Sequence, residues 1–192
     1  MTEASTSDGV LTLTPLGPND ATAHLAGEDE LLVRWLNGGP GTREIVERYL
    51  RHCREQWEIS GPLRAFGVRV GPEGTLAGTV DLRFAEEGLA PGQVSLAYGL
   101  YPLWRGRGLA TRAVLLASRY AADRGGTEAV IEVEPENRAS VAVARRAGFA
   151  LYGRRELGDG TPIDRYVLAL RRPSGRRSST GRPGRSAAES AQ

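Results

Sequence analysis

The sequence predicts an α/β domain over residues 9–171, and three observations carry that expectation. Short segments with alternating apolar and polar residues, the pattern of a half-buried strand, are interspersed with longer ones in which apolar residues recur every three or four positions, the pattern of a helix packed on one side. A strand over 94–101 runs through the glycine-rich turn Arg105-Gly106-Arg107-Gly108 into an apolar helix. A second strand, over 129–134, runs through Asn137 into another helix.

The elements follow in order. Residues 10–16, Val-Leu-Thr-Leu-Thr-Pro-Leu, alternate as a first strand. Asn19-Asp20 caps a helix over 21–25, and a second helical stretch follows over 28–36. Beyond the turn Gly38-Gly-Pro-Gly41, Thr42 caps a longer helix whose apolar positions Ile45, Tyr49, Leu50, Cys53 and Trp57 recur at helical spacing. Strands over 63–70 and 75–84 are joined at Gly71-Pro-Glu-Gly74, a hairpin signal. In the strand over 94–101, Leu96, Tyr98 and Leu100 share one face. Leu109, Ala113, Leu116 and Tyr120 step by four, three and four, so the helix after the glycine turn buries one face until Gly125-Gly126 ends it. A strand over 129–134, a helix over 139–147 and strands over 149–156 and 164–171 complete the domain, and no internal repeat is visible.

Composition sets outer bounds. A chain of 192 residues holds one full domain with a proper core. No apolar run approaches the roughly 20 residues that span a bilayer, and the first residues lack the basic and apolar regions of a signal peptide, so the expected location is the cytoplasm, with no membrane partner. The single cysteine, Cys53, excludes an internal disulfide and a cysteine-based metal cluster. Residues 1–8 are expected to be flexible. Residues 172–192 carry five arginines against a single acid, Glu189, among Ser, Gly and Pro, and are expected to be disordered. Nucleic acid is an expected partner only through that basic tail.

The glycine turn is where the chemistry starts. Gly106 and Gly108 let the backbone reverse sharply, and the helix behind them opens with N–H groups that have no intrahelical partner, so a pyrophosphate is a natural occupant. The run has neither the G-x-x-x-x-G-K-[ST] spacing nor a dinucleotide fingerprint, and the chain has no lysine. Arg105-Gly-Arg-Gly108-Leu-Ala110 resembles instead the R/Q-x-x-G-x-G/A signature of the GNAT acetyltransferases. Residues 129–149, with Asn137-Arg-Ala-Ser140 in the turn and Gly148-Phe149 at the end, resemble the RimJ/RimL branch of that superfamily, whose members acetylate ribosomal-protein N-termini or small amines.

That resemblance implies a mixed central sheet of about seven strands flanked by helices, acetyl-CoA as co-substrate and no metal. It places the pyrophosphate on Arg105, Gly106, Arg107, Gly108, Leu109, Ala110 and Thr111, and the acetyl carbonyl or pantetheine arm at the main-chain N–H of Leu100. Asn137 is implied to bond the pantetheine amides. Two adjacent parallel strands, ending at Leu100 and Glu134, are implied to splay apart around the thioester. Glu132, five residues before Asn137, matches the glutamate that deprotonates the amine. Glu134 lies on the same strand face, and Asp81, Glu86 and Glu87 are rivals. For the acid, many members carry a tyrosine four residues before the Gly-Phe pair, and here that place is Ala144. The branch points instead to Ser140, which could equally cap the helix. Tyr98 and Trp104 stand where they could line the site or pack. His24 and His52, far from either motif, are expected to be surface or helix-face residues.

The acceptor is bounded by the early helices, the loop after Phe84 and the loop Gly158-Asp-Gly-Thr161. Glu28, Asp29, Glu30, Glu86 and Glu87 are placed to attract a cationic amine. The leading expectation is an N-acetyltransferase acting on a protein N-terminus or a small amine, as a monomer or homodimer. An aminoglycoside-type antibiotic acetyltransferase, a non-catalytic acyl-CoA-binding module and an RNA-associated protein are the alternatives.

Overall fold

The alternating segments assemble into one mixed sheet in the computed structural model, which describes residues 5–171. Its strands are β1 (Thr6–Ser7), β2 (Leu11–Pro15), β3 (Leu63–Val70), β4 (Thr75–Arg83), β5 (Gln93–Leu100), β6 (Glu128–Val133), β7 (Ala150–Glu156) and β8 (Pro162–Ala169). They lie in the order β1-β2-β3-β4-β5-β6-β8-β7. Only β5 and β6 run parallel; every other neighbouring pair is antiparallel. The helices are α1 (Ala21–Gly27), α2 (Glu30–Leu32, continuing as a π turn over Val33–Asn37), α3 (Arg43–Glu58), α4 (Leu109–Asp123) and α5 (Arg138–Arg146).

The sheet has eight strands where the sequence reading has seven. The extra one corrects the expected boundary: residues 1–4 lie outside the described part, but Thr6 and Ser7 pair with Leu13 and Thr12. Asp8 holds the following turn by accepting from the N–H groups of Val10 and Leu11 at 2.9 and 3.0 Å. The tail over 172–192 lies outside the described residues.

Helices α1–α3 cover one face of the sheet, and α4 and α5 the other. On α4 the stripe Leu109, Ala113, Leu116 and Tyr120 is buried as its spacing predicts. On α3, Leu50 and Cys53 are buried and Tyr49 and Trp57 half-buried as expected, but at the start of the helix Val46 is buried in place of Ile45, which is 46% exposed. Thr42 caps α3 through a bond from Ile45 N–H, whereas the Asp20 carboxylate turns away from α1 to Gly17 N–H and Arg69. Phe66 stands edge-on to Trp57 and Tyr120, with centroids 4.9 and 5.0 Å away, and each such aromatic pair adds about 0.5–1.5 kcal/mol beyond buried area. This packing makes a rigid platform for β4 and β5, on which the site is built.

Candidate active site

Strands β5 and β6 are in register over three pairs only, Gln93–Glu128, Val94–Ala129 and Ser95–Val130, and then diverge. The gap opens into a cavity of about 1030 Å³ that runs from the glycine turn past the α5 N-terminus to the loop after β4. That volume is at the top of the roughly 300–1,000 Å³ range of small-ligand sites, room for two partners end to end. Tyr101 N–H donates to the Ala77 carbonyl of β4, and antiparallel pairing alternates by residue, so the main-chain groups of Tyr98 and Leu100 face the gap instead. The Leu100 carbonyl takes the Arg105 Nε hydrogen at 2.8 Å. Its N–H is left directed into the cleft, where the sequence reading requires a donor.

The glycine turn has the form of an anion cradle. Gly106 and Gly108 have φ of 73° and 74°, and nothing lies within 4 Å of where a Cβ would stand on either. Gly108 is the N-cap of α4 and no side chain caps the helix, so its first N–H groups, at Leu109, Ala110 and Thr111, point at open space. Gly106, Gly108, Leu109, Ala110 and Thr111 line the cavity. The two arginines of the motif behave differently from their glycines. The Arg105 guanidinium is engaged bidentately by Asp29 at 2.7 and 2.8 Å, so it ties the turn to α2 and presents no free fork to a phosphate. Arg107 points outward and lies over the Trp104 ring at 5.4 Å. Arg138 and Arg146 of α5 do line the cavity, with no side-chain partner among the described residues.

At the start of α5 the structure separates two uses that the sequence leaves open for Ser140. Asn137 is the N-cap: its Oδ1 accepts from Ser140 N–H at 3.1 Å, which leaves its amide nitrogen free to donate. The Ser140 hydroxyl is thereby released from capping and meets the Tyr98 hydroxyl at 2.9 Å. Ala144 is fully buried and takes no part in the cleft.

Residues 10–150 match the family described as acetyltransferase (GNAT) domain. The chain belongs to the GNAT acetyltransferases. No curated protein matches it in sequence. Among solved structures, the GNAT domain superposes on RimL, the ribosomal L7/L12 α-N-protein acetyltransferase, with TM-score 0.73 and 18% identity over 88% of this chain and 96% of that one. It superposes on the ribosomal-protein-S5-alanine acetyltransferase of Vibrio fischeri with TM-score 0.72 and 17% identity over 88% and 97%. The microcin C7 self-immunity acetyltransferase MccE, solved with acetyl-CoA and AMP, gives TM-score 0.71 and 16% identity over 85% and 94%. At these identities the likeness is one of fold.

The carboxylates of this GNAT domain are distributed unevenly around the cleft. Glu132 lines the cavity on β6, its side chain 31% exposed, with Oε2 2.7 Å from Arg155 and Oε1 3.5 Å from Arg165. Glu134 lines it without a side-chain partner among the described residues. Asp81 lies outside it, beneath α3, where both carboxylate oxygens accept from the Tyr49 hydroxyl at 3.0 Å and burial pushes its pKa up. Glu86 and Glu87 stand at the mouth, with Arg83 beside them.

Several acceptor-side expectations need correction. Of the early acids, Glu28 accepts from Asn37 at 2.6 Å and from Gly41 N–H at 2.7 Å, and Asp29 is spent on Arg105. Both serve the loop, so neither is available to an amine. Residues 158–161 form the tip of the β7–β8 hairpin and stay out of the cavity, which is reached instead by Arg155, Ile163 and Arg165. His24 is a half-buried helix-face residue of α1, bonds the Tyr101 hydroxyl at 2.9 Å and has its pKa lowered by burial. Sequence reasoning missed Trp35, Leu31 and Leu36 on the α2 segment, and the arginines of β7 and β8. The apolar trio sits in a helical stretch recognised as such, but nothing in its spacing tells a cleft wall from a core face. Among the described residues there is no group of three or more metal-ligating side chains and no helix long and apolar enough to cross a membrane.

Proposed function

We propose that this GNAT domain is an acetyl-CoA-dependent N-acetyltransferase of the RimJ/RimL type, working by direct attack and taking a protein N-terminal amine as acceptor. The observation that carries the reading is the continuous cleft between β5 and β6, with an uncapped anion turn at one end and two exposed acids, Glu86 and Glu87, at the other. The turn and the α5 arginines suit the coenzyme phosphates. Asn137 and the gap-facing main chain of Tyr98 and Leu100 suit the amides of the pantetheine arm, which can bond there as a strand bonds an open edge.

The chemistry asks the chain for four things: both partners held together, a neutral amine, a stabilised oxyanion and a hydrogen bond for the departing sulfur. The cleft supplies the first. Leu100 N–H is the donor facing the developing oxyanion. Glu132 accepts the amine proton, directly or through one water. A carboxylate has about four lone-pair positions, so the two bonds from Arg155, with the Arg165 guanidinium beside them, fix its orientation and leave positions for the amine side. Ser140 faces the sulfur. The acids at the mouth draw in a cationic N-terminus, and the apolar Trp35 and Leu36 offer packing for the residues behind it.

The test starts with calorimetric titration of acetyl-CoA into the wild type and into Gly108→Glu, whose carboxylate enters the anion turn. Saturable binding lost in the variant supports the cradle. Thiol release is then followed with peptides bearing free or blocked N-termini and with a panel of aminoglycosides and other small amines. Turnover of free but not blocked peptides is expected. Turnover confined to small amines removes the protein acceptor, and binding without turnover of any amine makes the domain a coenzyme-binding module. Glu132→Gln should lower kcat by about 10²-fold, the low end for loss of a general base, with little change in coenzyme affinity. An unchanged kcat removes Glu132 from the role.

A further inference from the structure

Tyr98 stands on β5 where that strand has left β6, and faces α5 across the cleft. Its phenol oxygen is 2.9 Å from Ser140 Oγ and 3.2 Å from the Ser140 carbonyl, and these are its hydrogen-bond partners among the described residues. Tyr98 is half-buried, burial pushes its pKa up to about 12, and at neutral pH it is a donor with one hydrogen to place. Ser140 also has one hydrogen. With Asn137 carrying the cap, that hydrogen is not needed by the helix.

The arrangement orders these two hydrogens. A serine hydroxyl in a helix with no other partner turns back to a carbonyl of the preceding turn. The phenol hydrogen has two acceptors in reach, the Ser140 carbonyl at 3.2 Å and Ser140 Oγ at 2.9 Å; a phenol is a better donor than an aliphatic hydroxyl and Oγ is the nearer oxygen, so the phenol gives its hydrogen to Ser140 Oγ and the serine hydrogen is left for a third group. Both side chains line the cavity, so that third group lies in the cleft. At the place where many superfamily members bring a tyrosine from the helix, this chain has the buried Ala144, and a phenol arrives instead from the opposite wall.

We propose that Tyr98 is a positioning residue for acetyl transfer: by donating to Ser140 Oγ it aims the Ser140 hydroxyl hydrogen at the sulfur of the departing coenzyme. The proposal rests on the acetyltransferase reading above. As the bond from nitrogen to the acetyl carbon forms and the carbon–sulfur bond breaks, the electron pair of the latter stays on sulfur. The thiolate leaves hydrogen-bonded to Ser140, the amine proton passes to Glu132 and on to water, and the thiolate is protonated from water on release. Ser140 and Tyr98 end the cycle with the hydrogens they began with.

The experiment compares wild type, Tyr98→Phe, Ser140→Ala and the double variant. Tyr98→Phe keeps the ring and its packing, so the fold is preserved. Coenzyme A is first titrated into each protein, and ionisation of its bound thiol is then followed by thiolate ultraviolet absorbance against pH, a readout independent of turnover. Tyr98→Phe is expected to leave acetyl-CoA affinity within about twofold, to lower kcat about tenfold and to raise the pH at which the bound thiol ionises. Ser140→Ala should do the same, and the double variant should be no slower than Ser140→Ala alone, because one residue acts through the other. Single losses that multiply, or a bound thiol titration that Tyr98→Phe leaves in place, overturn the proposal. Failure of the wild type to bind coenzyme overturns the acetyltransferase reading itself, so the two failures are distinct.

Discussion

Replacing Asp29 with asparagine removes the charge that Arg105 grips while keeping an oxygen for Leu32 N–H, which Asp29 caps at 3.1 Å. The lost interaction is a fork of two guanidinium–carboxylate bonds at 2.7 and 2.8 Å, and Arg105 holds the Asp29 carboxyl below the usual carboxylate range. Charged hydrogen bonds contribute about 1.5–3 kcal/mol against about 0.5–1.5 for neutral ones. The two side chains are 31% and 27% exposed, so solvent screening discounts the difference to about 1–2 kcal/mol. For a domain of this size that is about 2–8 °C in Tm. The same fork holds the glycine turn against the end of β5, where Arg105 also reaches the Leu100 carbonyl. Asp29→Asn is therefore expected to weaken acetyl-CoA binding about tenfold as the cradle loosens, read by titration calorimetry and by melts with and without coenzyme. If Arg105 instead gripped the pyrophosphate directly, releasing it from Asp29 would free a guanidinium for that task. Tighter coenzyme binding in Asp29→Asn, with a steeper dependence on salt, would refute the clamp.

Four further outcomes follow from the same packing. Burial works against the Asp8 charge, but bonds from Leu11 N–H, Arg112 and Val10 N–H outweigh it and bring its pKa from 3.8 to about 2, so Asp8 contributes stability above its unfolded value that is lost as pH falls through about 2. Asp8→Asn should flatten the acid limb of thermal stability over that window, and an unchanged limb would show that the N-terminal turn is loose. Burial, reinforced by Asp81, pushes the Cys53 thiol up to about 12; a disulfide reagent should leave folded protein unlabelled and react only after urea unfolding, and rapid labelling of native protein would contradict the packing beneath α3. A Cβ at Gly99 would stand 2.5 Å from Leu32 Cδ2 and 2.9 Å from Leu36 Cδ2, so Gly99→Ala should push these two side chains aside and raise the acceptor KM more than that of acetyl-CoA, whereas an unchanged acceptor KM would take this segment out of the acceptor site. In hydrogen exchange, the Tyr98 and Leu100 amides should exchange faster than those of Ala97 and Gly99 in free protein and become protected with acetyl-CoA; equal protection in free protein would mean that the gap-facing edge is closed.

Both strand-to-helix units of the site were legible because each is local. The alternation of Leu96, Tyr98 and Leu100 and the stepping of Leu109, Ala113, Leu116 and Tyr120 are set within a few residues, and the glycines between them have one conformation to explain. What the sequence left unread is pairing across distance. Asp29 and Arg105 are 76 residues apart, and their fork turns a phosphate-ligand expectation into a structural tie. Arg155 meets Glu132 from 23 residues away, on a hairpin whose residues are mostly exposed and so give no apolar rhythm to place them. Tyr98 and Ser140, 42 apart, meet because β5 and α5 lie on opposite walls of one cleft. At α3, Val46, Leu50, Cys53 and Trp57 step by four, three and four, so helical spacing itself favours burying Val46 over its neighbour Ile45.

The divergence of β5 and β6 explains why the chemistry gathers where it does. A sheet interior normally satisfies each main-chain donor and acceptor with the neighbouring strand, and here β5 does so on its β4 side while its other edge is open beyond Ser95. Opening the sheet costs ladder bonds on the facing edges of both strands, and β6 keeps only its far-side ladder with β8 from Glu128 to Val133. β5 is placed alike, with β4 on its far side. Its gap-facing groups at Tyr98 and Leu100 are left to water or to a ligand that presents amides at strand spacing, and a pantetheine arm is such a ligand. The side chains that flank this edge, Tyr98 on the α5 face and Gly99 under α2, differ for the same reason: one must reach across the gap to Ser140, and the other must be small enough for Leu32 and Leu36 to close over it. On the proposed reading, the open edge fixes the axis of the coenzyme, the phenol fixes the sulfur end, and the missing Cβ fixes how closely the acceptor wall approaches.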